Sequence, residues 1–501
     1  MRTCIQGGWV VGHRQGRHCL ERDHQVVFED DTIIYVGPKF DGGVDVTLDA
    51  AGKLVCPGFV DTHVHSGHRG AHRLISDAGR ADAFGQPFLE VSAPRAGTRI
   101  EGDLRYMRDG DPELAQELEL HATFTVAEML RNGITTFVEF GAGVRTQEAL
   151  ARQCAQLGMR GYLGPGFCGG HWVGDARGRL ELALDEAAGF RALDEALACI
   201  ERVSASGAGL VRGVLVAREL EAMSVPLLER TRETADALAL PMATHAAYNV
   251  LEFHHVVREH RMTPIELLDS VGMLRPTLNI GHGNFIGENP LLNYSGAHDL
   301  RLMGAAGVSI SHCPVNLVRR GRALDSWQKY REAGVNVALG TDTYPRDMIL
   351  NMRAASHHGK VMSRNYRAAS AAEVFAAATL AGARSLGRED LGRLQAGARA
   401  DVVIIDLSGR GGLRFGPVRD PVKALVECGI GDDVDTTIVA GKVRMQAGSI
   451  PGVDFAALRA RAQASAERIW AGWQASDALG RSADALSPMS FCPACEEEAA
   501  A

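Results

Sequence analysis

Between about residues 113 and 390, short apolar runs rich in β-branched side chains alternate with longer stretches whose apolar positions recur every three or four residues. The stripe Leu114, Leu118, Ala122, Val126 and Met129 predicts a helix that leads into a strand over 133–140, Gly-Ile-Thr-Thr-Phe-Val-Glu-Phe. Further strands are expected over 54–60, 160–166, 210–217, 240–245, 277–282, 308–312 and 335–341. Eight strands, each followed by a helical segment, predict an α/β chain folded as a (β/α)8 TIM-like barrel over 54–391. In such a barrel the catalytic groups sit at the C-terminal ends of the strands.

The two ends of the chain read differently. Residues 1–53, with strands within 26–37, and residues 392–450, with strands over 400–406 and 436–443, are short apolar runs cut by Gly and Asp turns. Neither half has enough apolar surface for its own core, so the two are expected to meet in one small β-sandwich. Beyond 450, residues 454–473 predict a helix and 474–501 a weakly ordered tail. Residues 68–111 are polar, Gly-rich and without periodicity, and a stretch that long is expected to cover a pocket.

Composition narrows the partners. Hydrophobic residues make up 46% and charged residues 23%, as in a globular enzyme with a large core. A net charge of −8 with no basic arm argues against nucleic acid. No apolar run approaches the roughly 20 residues of a membrane span, and the opening MRTCIQGGWV lacks a signal peptide's apolar stretch, so a cytoplasmic protein is expected. The ten cysteines follow no disulfide rhythm, and Cys492 and Cys495 form a Cys-x-x-Cys without a second pair.

The chemistry gathers at strand ends. Pro-Gly-Phe-Val-Asp-Thr-His-Val-His (57–65) puts His63 and His65 at alternate positions, which face the same way in a strand. Three further apolar runs end in His245, His282 and Asp342. Neutral imidazoles of His63, His65 and His245, with the Asp342 carboxylate, would hold one divalent ion; zinc is expected first, with iron, cobalt or manganese as alternatives. Such an ion makes hydroxide available from water near neutral pH, and Asp342 would act as general base and then general acid. His282 is read either as a further ligand or as a donor to the oxygen of a tetrahedral intermediate. The remaining histidines are more ambiguous. His312 is read as pocket lining or packing, His68, His72 and His171 as loop residues at the same face, and His254 and His255 as helix-surface groups. No lysine occurs between Lys53 and Lys329, which excludes a carboxylated-lysine bridge between two metals on an intervening strand. Glu139 and Glu219 read as strand-end polar groups, so one metal is expected.

These residues resemble the amidohydrolase superfamily, in the branch of the triazine hydrolases and the guanine and methylthioadenosine/S-adenosylhomocysteine deaminases. The likeness spans about 25–450 through PGFVDTHVH, GITTFVEF, THAAYN, NIGHGNF, SHCPVNLVRRG, AGVNVALGTD and LGRLQAGARADVVIIDL. It implies that His63, His65, His245 and Asp342 are the ligands of a single metal and that His282 stands near the reacting oxygen. It also implies a small-molecule substrate and a homo-oligomer, a dimer being one form it allows. One departure changes the expected chemistry: the deaminases carry His-x-x-Glu where this chain has His245-Ala246-Ala247-Tyr248. A phenol with a pKa near 10 is a poor proton shuttle at neutral pH but can hydrogen-bond an oxyanion. The expected function is therefore hydrolysis of a non-peptide C–N bond in a small molecule such as a urea, carbamate or amino-heterocycle, with Asp342, His282 and Tyr248 as catalytic groups. The alternatives are a heterocycle aminohydrolase that releases ammonia and an inactive scaffold.

Overall fold

A computed structural model of the chain describes residues 1–66, 69–78, 112–175, 177, 179–408 and 413–491. The segment expected to cover the pocket falls almost wholly outside these residues, as do His68, Cys492 and Cys495.

Two parallel sheets carry the centre of the chain. One has the order Val211–Gly213, Arg160–Leu163, Ile134–Glu139, Phe59–Val64; the other runs Gly166–Phe167, Leu215–Glu219, Met242–Ala246, Leu278–His282, Ser309–His312, Asn336–Leu339. Every pairing within them is parallel. The outermost strands of the two sheets also meet. His65 N donates to the Asp342 carbonyl and Asp342 N to the His63 carbonyl, both at 2.8 Å, around a parallel bridge between Val64 and Asp342.

Helices lie between these strands, and their starts are marked by side chains that satisfy otherwise unpaired N–H groups. Asp185 caps Glu186–Ser206, Asn249 caps Val250–His260, and Thr263 with Glu266 forms a capping box on Pro264–Ser270. The expected stripe on helix Pro112–Arg131 is buried at Leu114, Leu118, Ala122, Val126 and Met129.

The ends of the chain form two further sheets. The first is four-stranded, in the order Thr32–Gly37, Gln25–Glu29, Arg2–Gln6, Val46–Asp49. The second is six-stranded, running Lys442–Gln446, Val434–Val439, Val402–Asp406, Lys53–Pro57, Trp9–Arg14, Arg17–Arg22. Ile5, Val26 and Phe28 of the first share one buried cluster with Val10, Val55, Val402 and Ile438 of the second.

Three local expectations are corrected. The single strand expected over 54–60 is two: Lys53–Pro57 pairs antiparallel with Val402–Asp406, and Phe59–Val64 starts the parallel set. The break falls at Gly58, where a β-carbon would lie 2.2 Å from Thr135 Oγ1. The runs over 160–166 and 210–217 are likewise interrupted, giving Arg160–Leu163 then Gly166–Phe167, and Val211–Gly213 then Leu215–Glu219. Finally, the chain beyond the helix Phe455–Gly472 is not a loose tail as far as it is described. Trp473, Ala483 and Leu486 are buried against Ala71, Leu74 and Ile75 in one apolar cluster.

Candidate metal centre and cavity

His63 is the penultimate residue of the parallel strand Phe59–Val64, and His65 follows one residue beyond its end. His245 lies near the end of Met242–Ala246, His282 closes Leu278–His282, and Asp342 stands just after Asn336–Leu339. The structure brings all five together. His63 Nε2 is 3.1 Å from His65 Nε2, and His65 Nε2 is 3.3 Å from His245 Nε2. Asp342 Oδ1 lies 3.9 Å from His63 Nε2 and 3.6 Å from His65 Nε2, while its Oδ2 is 3.7 Å from His282 Nε2. Nitrogen ligands at zinc distances of about 2.1 Å in a tetrahedron stand about 3.4 Å from one another. The imidazole spacings match that figure, so the residues fit a single ion.

Their electrostatics fit it as well. Burial lowers the pKa of His63, His245 and His282, which keeps their lone pairs available for an ion rather than a proton. The His245 Nδ1–H donates to the Arg218 carbonyl at 2.8 Å, which fixes the tautomer and leaves Nε2 as the donor atom. Burial pushes the Asp342 carboxyl up to about 6, opposed by Arg320, Arg319 and the Asn316 amide. In the absence of a cation's charge that carboxyl is costly where it stands.

Supporting residues set these positions. Asp61 accepts from His63 N at 3.2 Å and Thr341 N at 3.0 Å, and also from the Thr341 hydroxyl, so it ties the first ligand strand to the segment carrying Asp342. The fully buried Arg346 donates to the His65 carbonyl at 2.6 Å and pairs with Glu128. Asn316 Nδ2 donates to Asp342 Oδ2, and Asn316 Oδ1 accepts from Thr343. His63 stacks on Phe140 at 3.9 Å between ring centroids. His282 and Asp342 both adopt left-handed backbone, with φ of 71° and 60°, at a cost of about 1 kcal/mol or more each that the surrounding contacts must offset.

The donor cluster opens into a cavity of about 410 Å3 lined by His65, Phe167, Trp172, Arg218, Glu219, Tyr248 and their neighbours. One wall is an antiparallel hairpin, Gly170–Gly174 with Leu180–Leu184. This hairpin was not anticipated, since a two-strand ribbon of five residues a side gives only a weak alternation. His171 lies on it and lines the cavity. Tyr248 also lines the cavity, but its hydroxyl donates to Glu221 Oε1 at 2.6 Å.

The other candidates fall away from the donor cluster. His312 is buried against Trp327, and burial lowers it to about 3, which is the packing alternative. His72 is buried with its ring 6.5 Å from that of His65. His254 is exposed and His255 packs on Trp172, as expected of helix-surface groups. Glu139 is consumed structurally: Oε1 accepts from Ser66 and Oε2 from Ala142 N and Gln147. Asp61, Asn316 and Glu221 were missed. Asn316 lies inside the motif SHCPVNLVRRG, but nothing in sequence distinguishes a carboxylate-orienting amide from a turn residue.

Imidazoles and a carboxylate converging at the C-terminal ends of parallel strands define a class of protein, the hydrolases that work through a bound divalent ion. The chain belongs to the amidohydrolase family, which residues 54–444 match. A 5-methylthioadenosine/S-adenosylhomocysteine deaminase of Pyrococcus furiosus is 28% identical over 423 residues, covering 83% of this chain and 90% of the relative. Among solved structures, an adenosine deaminase of Xanthomonas campestris with bound zinc superposes with a TM-score of 0.74 at 24% identity, covering 93% of this chain and 98% of the other. An atrazine chlorohydrolase of Arthrobacter aurescens TC1 complexed with zinc gives 0.73 at 23% identity, over 93% and 100%. No helix among the described residues is long and apolar enough to cross a membrane.

Proposed function

We propose that this protein hydrolyses a non-peptide C–N bond of a small molecule, with one divalent ion, zinc before iron, cobalt or manganese, held by His63, His65, His245 and Asp342. The closeness of His65 Nε2 to His63 Nε2 and His245 Nε2, at 3.1 and 3.3 Å, and to the Asp342 carboxylate, at 3.6 Å, carries the reading. An ion bound there supplies Lewis acidity and a water that ionises near neutral pH. Asp342 takes the proton from the attacking water and returns it to the departing nitrogen, with Asn316 holding the carboxylate's orientation. His282 donates to the oxygen of the tetrahedral intermediate, and Tyr248 contacts the substrate from the facing wall. Phe167 and Trp172 give that wall the flat apolar surface a planar substrate packs on.

The parallel strands read as a (β/α)8 barrel that starts at Phe59 rather than at 54 and runs to 391, two of its eight strands being interrupted, with the seam at Val64 and Asp342. The terminal sheets, 1–57 rather than 1–53 with 392–450, read as one β-sandwich, supported by their shared core. The eight cysteines among the described residues are all free, which suits a reducing cytoplasm.

A second reading is deamination of an amino-heterocycle. It is favoured by the relatives named as adenosine-type deaminases and by Glu219, a carboxyl on the cavity wall. Zinc-supplemented protein incubated with adenosine, methylthioadenosine, guanine, phenylurea and an aryl carbamate separates the two: aryl amine release supports the first, and ammonia from the heterocycles alone supports the second. Metal content well below one ion per chain after supplementation would sink both.

A further inference from the structure

Glu221 lies outside the donor cluster, in the short turn Leu220–Ala222 after the strand Leu215–Glu219. It is buried, and its Oε1 accepts from the Tyr248 hydroxyl at 2.6 Å and from the Trp172 indole N–H at 3.0 Å. Its Oε2 is buried with no hydrogen-bond partner among the described residues. Tyr248 and Trp172 both line the cavity but come from different elements, Tyr248 from the segment after Met242–Ala246 and Trp172 from the hairpin wall.

The direction of these bonds follows from donor chemistry. An indole nitrogen only donates, so Trp172 takes one lone pair of Oε1 and Tyr248 the other. A proton on this carboxyl therefore sits on Oε2, and burial raises Glu221 to about 7. In either protonation state the tyrosine proton points to Glu221. Any hydrogen bond that Tyr248 makes to a molecule in the cavity is then accepted by its oxygen.

We propose that Glu221 is a positioning residue that fastens the hairpin wall to Tyr248 and makes Tyr248 a hydrogen-bond acceptor, so that the cavity takes a planar substrate presenting an N–H there. This deepens the proposed function and rests on the cavity being the substrate site. It leaves the donor role toward the reacting oxygen to His282, and it selects against fully N-alkylated ureas and amines.

Two experiments on the zinc-loaded full chain test it. The first needs no substrate: Glu221→Leu shifts the intrinsic tryptophan emission, Glu221→Gln shifts it less because the amide oxygen still accepts, and Glu221→Leu in a Trp172→Phe background leaves it unmoved. An identical shift in that background overturns the fastening. The second compares calorimetric binding of phenylurea with that of its N-methylated analogue 1,1,3-trimethyl-3-phenylurea. The wild type prefers the N–H compound by about tenfold, the worth of about one hydrogen bond. Tyr248→Phe and Glu221→Leu lose that preference, whereas Glu221→Gln keeps it. Equal binding by the wild type, no binding of either probe, or a preference that survives in Glu221→Leu overturns the substrate assignment. The emission experiment decides the fastening even where the hydrolase reading fails.

Discussion

Gly281 has a hydrogen where any other residue would carry a carbon 2.8 Å from His63 Cε1 and 3.1 Å from His245 Cδ2. Two of the proposed ligands therefore approach over a position where a β-carbon has no room. Gly281→Ala should push those imidazoles apart and weaken zinc binding by about tenfold or more, read by competition with a chelator, while far-UV circular dichroism stays that of the parent. Asp342→Asn keeps the shape but removes the proposed proton carrier. It should abolish turnover of any substrate the wild type accepts, by a factor of at least about 10², and a variant within threefold of wild type would refute the role given to Asp342. At this level the sequence was legible where a side chain's chemistry is unusual for its setting. A histidine ending an apolar run invites explanation, whereas Asp61, Asn316 and Glu221 are ordinary polar residues until partners from distant parts of the chain are placed beside them.

Among the elements, the helices were the easiest to read, because capping residues and a buried stripe act within a few positions of each other. Strand limits were harder. The run from Leu54 to Val60 is uniformly apolar, and the close approach of Thr135 to Gly58 marks where the strand pairing with Val402–Asp406 ends and the one pairing with Ile134–Glu139 begins. The joint between the two sets of sheets is reinforced by a buried ion pair. Arg160 on a parallel strand donates from Nε and Nη2 to Asp401 at 2.8 and 3.2 Å, and Asp401 Oδ1 also accepts from Ala440 N. Asp401→Asn leaves the Arg160 charge buried with a neutral partner and should cost about 3 kcal/mol, measured by urea unfolding, with metal content unchanged. A loss below about 0.5 kcal/mol would show that the pair is solvated in practice.

Across the whole molecule, the pattern of alternating strands and helices was enough to anticipate the parallel sheets and the return of the C-terminal strands to the N-terminal ones. The packing of residues 473–486 was not, because a few apolar side chains among polar ones carry no period. A histidine that touches both regions gives a pH test. His18, on the strand Arg17–Arg22, contacts the Thr379 hydroxyl through Nε2 at 2.9 Å, and burial lowers its pKa to about 4, with His13 adding to the shift. The unfolded chain binds this proton near pH 6.5 and the folded chain only near 4. The folded state thus holds fewer protons between those values, and stability falls as pH drops through that window. The loss is at most about 3 kcal/mol, reduced by the partial exposure of His18. His18→Gln should flatten the urea-unfolding profile between pH 6.5 and 4, and an unchanged slope would assign the acid sensitivity elsewhere.

The strand Lys53–Pro57 finds its inner neighbour, Val402–Asp406, only after most of the chain has been made. The buried turn at Ala71, Leu74 and Ile75, a few residues past the first two histidines, waits still longer for Trp473 and Leu486. On the ribosome, His63 and His65 therefore emerge early into a half-built neighbourhood, able to bind metal with the wrong partners. The proposed donor set is complete only once Asp342 has joined the strand carrying His63, so metal offered before that point meets a partial site.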